Sequence, residues 1–292
     1  MGIHIQKSGA LKRMKKESPY WVMLLPCLLL FFGFVVLPVI QGIPISFTDW
    51  DGFSPARNSV GWKNYSRVFS DKYVLNAVNN TFRFTLYEVI VCNVLGLLLA
   101  LLFNGVSRTN NLCRTLVFMP HVISLVLSAY MIRYMLTELY QYTGILNLLG
   151  NKTYVVFGLS IIAIWRDTGY CMIIYLAALQ SVDPTMYEVA LIEGAGPVKR
   201  FFKVTLPLIM PSVTANVTLL TAWGLKLYDY SVAATKGGPG RASESVSMYV
   251  YDMIFPYYKA GYGQAIAIVW IVVIFLITQT ISVVLRKQEV DV

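Results

Sequence analysis

Five stretches of this chain carry no Asp, Glu, Lys or Arg: 18–48, 89–107, 115–132, 204–225 and 260–285. A helix needs roughly 20 apolar residues to cross the hydrocarbon core of a bilayer, and these runs supply them. A sixth, 153–182, is broken only by Arg166-Asp167 and reads as one span with a polar interruption. At 57% hydrophobic and 13% charged over 292 residues, the composition excludes a soluble globular fold. The bilayer core offers no water to backbone groups, so helices satisfy them internally, and runs this long exclude barrel strands. The expectation is an all-α membrane protein with six transmembrane helices. It forms one membrane domain over 18–292 behind a basic tail at 1–17.

The first run follows Lys7, Lys12, Arg13, Lys15 and Lys16. It exceeds the roughly 7–15 apolar residues of a signal peptide, and no small-residue cleavage site closes it, so it reads as an uncleaved span. Other short cationic segments are Arg108 and Arg114, then Lys199, Arg200 and Lys203, then Arg286 and Lys287. The remaining cations, among them Lys63, Lys72, Lys236 and Lys259, are spread over longer loops. Dense positive charge beside span ends marks the cytoplasmic side, which places both termini and the segment 183–206 inside. The net charge of +9 therefore points to lipid headgroups and not to nucleic acid.

Chemistry within the chain is sparse. Cys27, Cys92, Cys113 and Cys171 lack metal-ligand spacing, and three of them fall in apolar runs where Cys acts as a small hydrophobe. His4 and His121 leave little for histidine chemistry, and no Ser/His or paired-Asp constellation at membrane depth suggests an enzyme. The glycines from Gly144 to Gly150 have the wrong spacing for a P-loop, and Asn151 separates Gly150 from Lys152. ATP has no site here. An ion-driven secondary transporter is the alternative class, but neither inverted repeats nor an intramembrane carboxylate relay is evident.

Charges at membrane depth are costly and face a bundle interior or a wet cavity. Those in or beside the runs are Arg83, Glu88, Arg133, Arg166, Asp167, Lys226 and Asp229. Arg166 with Asp167, and Lys226 with Asp229, either neutralise one another or line a polar cavity. Trp165, Tyr170, Trp223, Tyr228 and Tyr230 flank them; such aromatics either pack or offer faces to a sugar ring. The outer loops are 49–80, 147–152 and about 229–262, the last opening on Gly237-Gly238-Pro239-Gly240, which is either a turn or a contact surface.

The island 183–206 is the most specific feature. Asp183-Pro184 is a helix start, Gly194 an end, and Gly196-Pro197 a turn into a second short helix over 198–204. In the first helix Met186, Ala190 and Ile192 are set against Tyr187, Glu188 and Glu193, while Pro207 and Pro211 mark entry to the fifth span. By physics alone this is an interfacial helix pair. It also resembles the coupling loop of ABC importer permeases, whose pattern is Glu-Ala-Ala, three residues, Gly, then a spacer ending in Leu-Pro. Glu188, Ala190, Gly194, Leu206 and Pro207 stand in register with that pattern; Val189 replaces one Ala, and Glu193 stands where Asp is usual in sugar importers.

Leu37-Pro38, Asn80-Thr81, Arg114-Thr115, Met119-Pro120, the stretch 176–180, Thr235 with Gly237-Gly238-Pro239, and Gly261-Tyr262-Gly263 extend the resemblance over nearly the whole chain, to the maltose-type sugar permeases. The resemblance implies a type I ABC importer permease core in a bacterial plasma membrane, carrying an oligosaccharide or glycoside. It implies a second homologous permease, two ATPase subunits that bind ATP and Mg, and an extracytoplasmic solute-binding lipoprotein. No cofactor binds this chain, which is a transport subunit and not itself an enzyme. The resemblance assigns ATPase coupling to Glu188, Ala190, Glu193, Gly194, Leu206 and Pro207, and binding-protein contact to Gly237, Gly238 and Pro239. Trp165, Arg166, Asp167, Tyr170, Trp223, Lys226 and Tyr228 are the candidates for the substrate pathway.

Overall fold

The computed structural model describes residues 23–289, so the basic tail 1–17 lies outside the described residues. Among the described residues twelve helices carry the fold. They are α1 (Met23–Ser46), α2 (Lys63–Ser70), α3 (Lys72–Leu102), α4 (Arg108–Val122), α5 (Leu125–Thr143) and α6 (Val155–Ser181). After them come α7 (Pro184–Ile192), α8 (Pro197–Leu208), α9 (Met210–Leu225), α10 (Asp229–Thr235), α11 (Val246–Ile254) and α12 (Ala260–Arg286). Among the described residues the only strand-like pairing is one bridge, Thr48 to Ser59.

Four helices, α1, α3, α6 and α12, are long and apolar enough to span a membrane alone. The count reaches six when the bent pairs α4–α5 (101°) and α8–α9 (68°) are each taken as one span.

Three boundaries differ from those read off the charge-free runs. The second span begins at Lys72, not near 89, so the loop expected over 49–80 ends at Asp71. Its first half and middle hold Asn80, Thr81, Thr85 and Glu88, all buried against protein, which is why missing charge failed as a boundary marker there. The run 115–132 straddles the α4–α5 break, and the run 204–225 begins inside α8 before turning at Ile209. The segment 229–262 is not a plain loop, since it folds α10 and α11.

Packing follows membrane rules. Lipid tails are as apolar as Leu, so helices associate through close approach and interhelical hydrogen bonds. At the central α3–α6 crossing, a Cβ on Gly96 would lie 2.7 Å from that of Cys171. At α4–α6, a Cβ on Gly169 would lie 2.2 Å from the Val117 carbonyl oxygen. Tyr175 of α6 donates to Asn93 of α3, Asn216 of α9 to the Cys171 carbonyl (3.3 Å), and Trp270 of α12 to the Leu225 carbonyl (2.9 Å). By contrast α1 leaves its first turns bare, a face that acyl chains would cover, and packs on α12 toward its C-terminal end, where a Cβ on Gly42 would meet Gln264.

Candidate functional site

Two regions carry the residues singled out in the sequence. The first is the elbow α7–α8. Asp183 caps α7 by accepting the Thr185 backbone N–H (2.9 Å); that bond, then the Thr185 hydroxyl, holds its carboxyl below the ordinary carboxylate range. Gly194 ends the helix at φ +73°, a left-handed conformation that L side chains rarely adopt, and the Ala195 N–H closes the cap on the Ala190 carbonyl (2.9 Å). Pro197 opens α8, which contains a π-helical turn at Phe201–Thr205 and runs on through half-buried Leu206 and Pro207. Tyr187, Val198, Phe201 and Phe202 line a cleft of about 580 Å³ between the elbow and the C-terminal ends of α3 and α6.

The two sets of residues that the sequence opposes on α7 are not divided between a buried and an exposed side. Ala190 is buried (6% exposed) against its own chain, so its small size serves the internal fold. Ile192 is 87% exposed, and Met186, Val189 and Leu191 also face outward, beside solvated Glu188 and Glu193. A short helix with one buried position lacks an internal core to turn its apolar residues toward. It displays them.

The second region is a cavity of about 200 Å³ bounded by α3, α6 and the chain from the end of α9 into α10. Glu88 lies near the middle of α3 and Asp167 near the middle of α6. Asp167 is the hub: one oxygen accepts from Arg166 (2.7 Å) and contacts His121 Nδ1 (2.9 Å), and the other accepts from the Tyr230 hydroxyl (3.1 Å). Arg166 also donates to the His121 carbonyl (3.3 Å). Trp223, Lys226, Tyr228 and Asp229 form the mouth; Tyr170 packs on Trp223 (5.1 Å between centroids) and stacks on His121 (5.0 Å).

Of the proposed pathway residues, Arg166, Asp167, Trp223, Lys226 and Tyr228 line this cavity and Tyr170 backs it. Trp165 does not; it packs on the outer core cluster with Phe84, Ile162 and Ala233. The Arg166–Asp167 pair forms, whereas among the described residues no ion pair joins Lys226 to Asp229, because α9 ends at Leu225 and the helical spacing is lost. Two features escaped the sequence. His121 belongs to the polar network, and Glu88 and Asp167 share one cavity although they lie on different helices. The signal for His121 was a polar residue just after Pro120, at a helix break.

Gly237, Gly238 and Pro239 sit in a tight turn after α10. Gly237, buried at φ +77°, is hydrogen-bonded to Ser231, and Ser243 donates to the Gly238 carbonyl (2.6 Å). Among the described residues no group of His, Cys, Asp and Glu has the makings of a metal site.

Continuous and broken spans packed on small residues, with a polar cavity inside and an elbow at one end, define a membrane transport subunit. The model of the family described as binding-protein-dependent transport system inner membrane component matches residues 93–288, and this chain belongs to that family. It is 31% identical over 270 residues to the trehalose/maltose transport system permease protein MalF of Thermococcus litoralis, covering 88% of this chain and 90% of that one. It is 32% identical to the inner membrane ABC transporter permease protein YcjO of Escherichia coli, covering 90% and 93%. Its fold matches a chain of a solved bacterial alginate ABC transporter in complex with an alginate pentasaccharide-bound periplasmic protein, with TM-score 0.78, 23% identity, and 94% and 96% of the two chains covered.

Proposed function

We propose that this chain is the permease subunit of an ATP-driven carbohydrate importer, forming half of the pathway for an oligosaccharide or glycoside. The outward apolar face of α7 carries the reading. An exposed patch beside Glu188 and Glu193 suits a groove on an ATPase subunit. In this arrangement both termini and the elbow are cytoplasmic, a second permease completes the cavity, two ATPase subunits hold ATP and Mg, and a lipoprotein delivers solute from outside near the 237–239 turn. The named substrates of MalF and of the alginate transporter support a saccharide cargo.

The connectivity supplies the mechanism. α7 is joined at its start to α6, which carries Arg166, Asp167 and Tyr170, and at its end through α8 to α9, which carries Trp223. Displacing a docked α7 therefore pulls on both walls of the cavity, and rocking of these spans alternates access to it. The ATPase supplies the energy by binding the two states of the permease unequally.

The test is reconstitution. Proteoliposomes with this chain alone should neither hydrolyse ATP nor take up sugar, and the chain should copurify with an ATPase and a second permease. Uptake by this polypeptide alone would replace the importer with a secondary carrier. Impermeant thiol labelling on a Cys-free background should reach 50–70 and 236–258 from outside but not 185–204.

A further inference from the structure

Two further cavities flank the corner where α2 meets α3. The first, of about 520 Å³, is cationic: Arg67, Lys72, Arg241 and Lys259 line it with a single carboxylate, Asp71. That carboxylate is already engaged, accepting from the Tyr73 backbone N–H (2.9 Å) and from the hydroxyls of Tyr249 (3.1 Å) and Tyr262 (2.8 Å). Packing positions the two guanidinium groups. Arg67 lies over the Tyr262 ring (4.3 Å to its centroid), and Arg241 lies over Tyr73 (4.4 Å) with its Nε held by buried Glu244 (3.1 Å). Among the described residues the terminal nitrogens of both arginines have no acceptor, and neither lysine is in an ion pair.

The second cavity, of about 240 Å³, is lined by apolar side chains, among them Val74, Val78, Phe82, Ile266, Trp270 and Val273. Its one polar group, the Trp270 N–H, is donated to the Leu225 carbonyl. At about 1.5 Å per residue it extends about 12 Å along α3, from Val74 to Phe82. The linings of the two cavities interleave at the corner, where Arg67 precedes Val68, Phe69 precedes Ser70 and Tyr73 precedes Val74. Because the spans α3 and α12 begin at Lys72 and Ala260, the cationic cavity stands at the head of both, and the apolar one lies along their lengths.

We propose that this corner binds an anionic phospholipid, with the phosphate on the four cations and an acyl chain in the groove between α3 and α12. The proposal needs only that the chain spans a membrane and is independent of the transported solute; in the topology proposed above, the lipid belongs to the extracytoplasmic leaflet. Charge complementarity selects the headgroup. A guanidinium presents paired N–H donors that match phosphate oxygens, and a zwitterionic headgroup would bring a fifth cation among the four. The groove selects a lipid over a soluble anion or an acidic protein face, either of which would use the cations and leave the apolar cavity empty.

The full chain, purified in detergent with the subunits that copurify, is titrated with phosphatidylglycerol, phosphatidylcholine and glycerol 1-phosphate, and bound species are counted by native mass spectrometry. Phosphatidylglycerol should bind at least about tenfold more tightly than either of the others. Lys72→Gln with Lys259→Gln removes two exposed, unpaired cations, so the fold should persist while phosphatidylglycerol affinity drops at least about tenfold and phosphatidylcholine affinity stays the same. The wild-type comparison stands without the variant. Equal affinity for the two lipids, or unchanged phosphatidylglycerol affinity in the double variant, overturns the proposal. Glycerol 1-phosphate binding as tightly as the lipid overturns it too and assigns the cations to a soluble anion. None of these outcomes touches the carbohydrate reading.

Discussion

In the elbow α7–α8, apolar side chains point outward and the carboxylates of Glu188 and Glu193 are solvated; in the cavity, Glu88, Arg166 and Asp167 point inward, and bare hydrocarbon is left to the lipid-facing sides of the spans. The two regions invert each other because they answer to different solvents. A short helix in water with no neighbour to turn toward keeps its apolar groups exposed and its charges cheap. At membrane depth a charged group is satisfied by neighbouring side chains rather than by water, as Asp167 is by Arg166, His121 and the Tyr230 hydroxyl. Robustness to single changes should differ accordingly: the elbow fails in function first, the cavity in folding first.

The largest expected effect tests the cavity side. Asp167→Asn leaves Arg166 without its counter-charge, a loss of about 3–5 kcal/mol. The purified complex should show a lower unfolding temperature, and Arg166→Gln added to it should recover part of the loss. A double variant no better than the single would mean that the pair is not what holds this region. Next comes the elbow. Gly194→Trp places a side chain on a left-handed backbone, and Glu188→Lys reverses the exposed charge. Expression and insertion should stay near normal while uptake falls at least about tenfold, equivalent to ~1.4 kcal/mol. Normal uptake by both would remove the docking role.

A smaller effect is expected at the cavity mouth. Trp223→Ala should lower uptake a few-fold, on the order of 1 kcal/mol for a lost aromatic contact, with assembly preserved. Loss of assembly would instead assign Trp223 to the partner interface. The smallest is Trp165→Phe, a substitution in the outer core cluster, which should leave solute affinity unchanged within error. A clear shift in affinity would return Trp165 to the pathway.

Legibility followed the same division. The elbow is written in consecutive residues: Asp183-Pro184 starts a helix, Gly194 stops it and Gly196-Pro197 starts the next, each through local backbone chemistry. Helices α6 and α12 were equally plain, because their apolar runs coincide with their lengths. The first half of α3 was not, since its polar residues are paid for by burial against other helices rather than by exposure to water. Which way α7's apolar residues face is not legible in the sequence either. Helical spacing shows which residues share a face but not whether that face has a neighbour.

Composition and the lengths of the apolar runs by themselves determined an all-helical membrane protein, and the island at 183–206 placed its elbow. Both depend on interactions within a few residues or with bulk solvent. Only the tertiary structure decided that Glu88, His121, Arg166, Asp167 and Tyr230 meet, that Trp165 stands apart from them, and that two spans are broken. Those outcomes depend on how helices distant in the chain cross, and the crossings are set by side-chain volume at single points such as Gly96, Gly169 and Gly224.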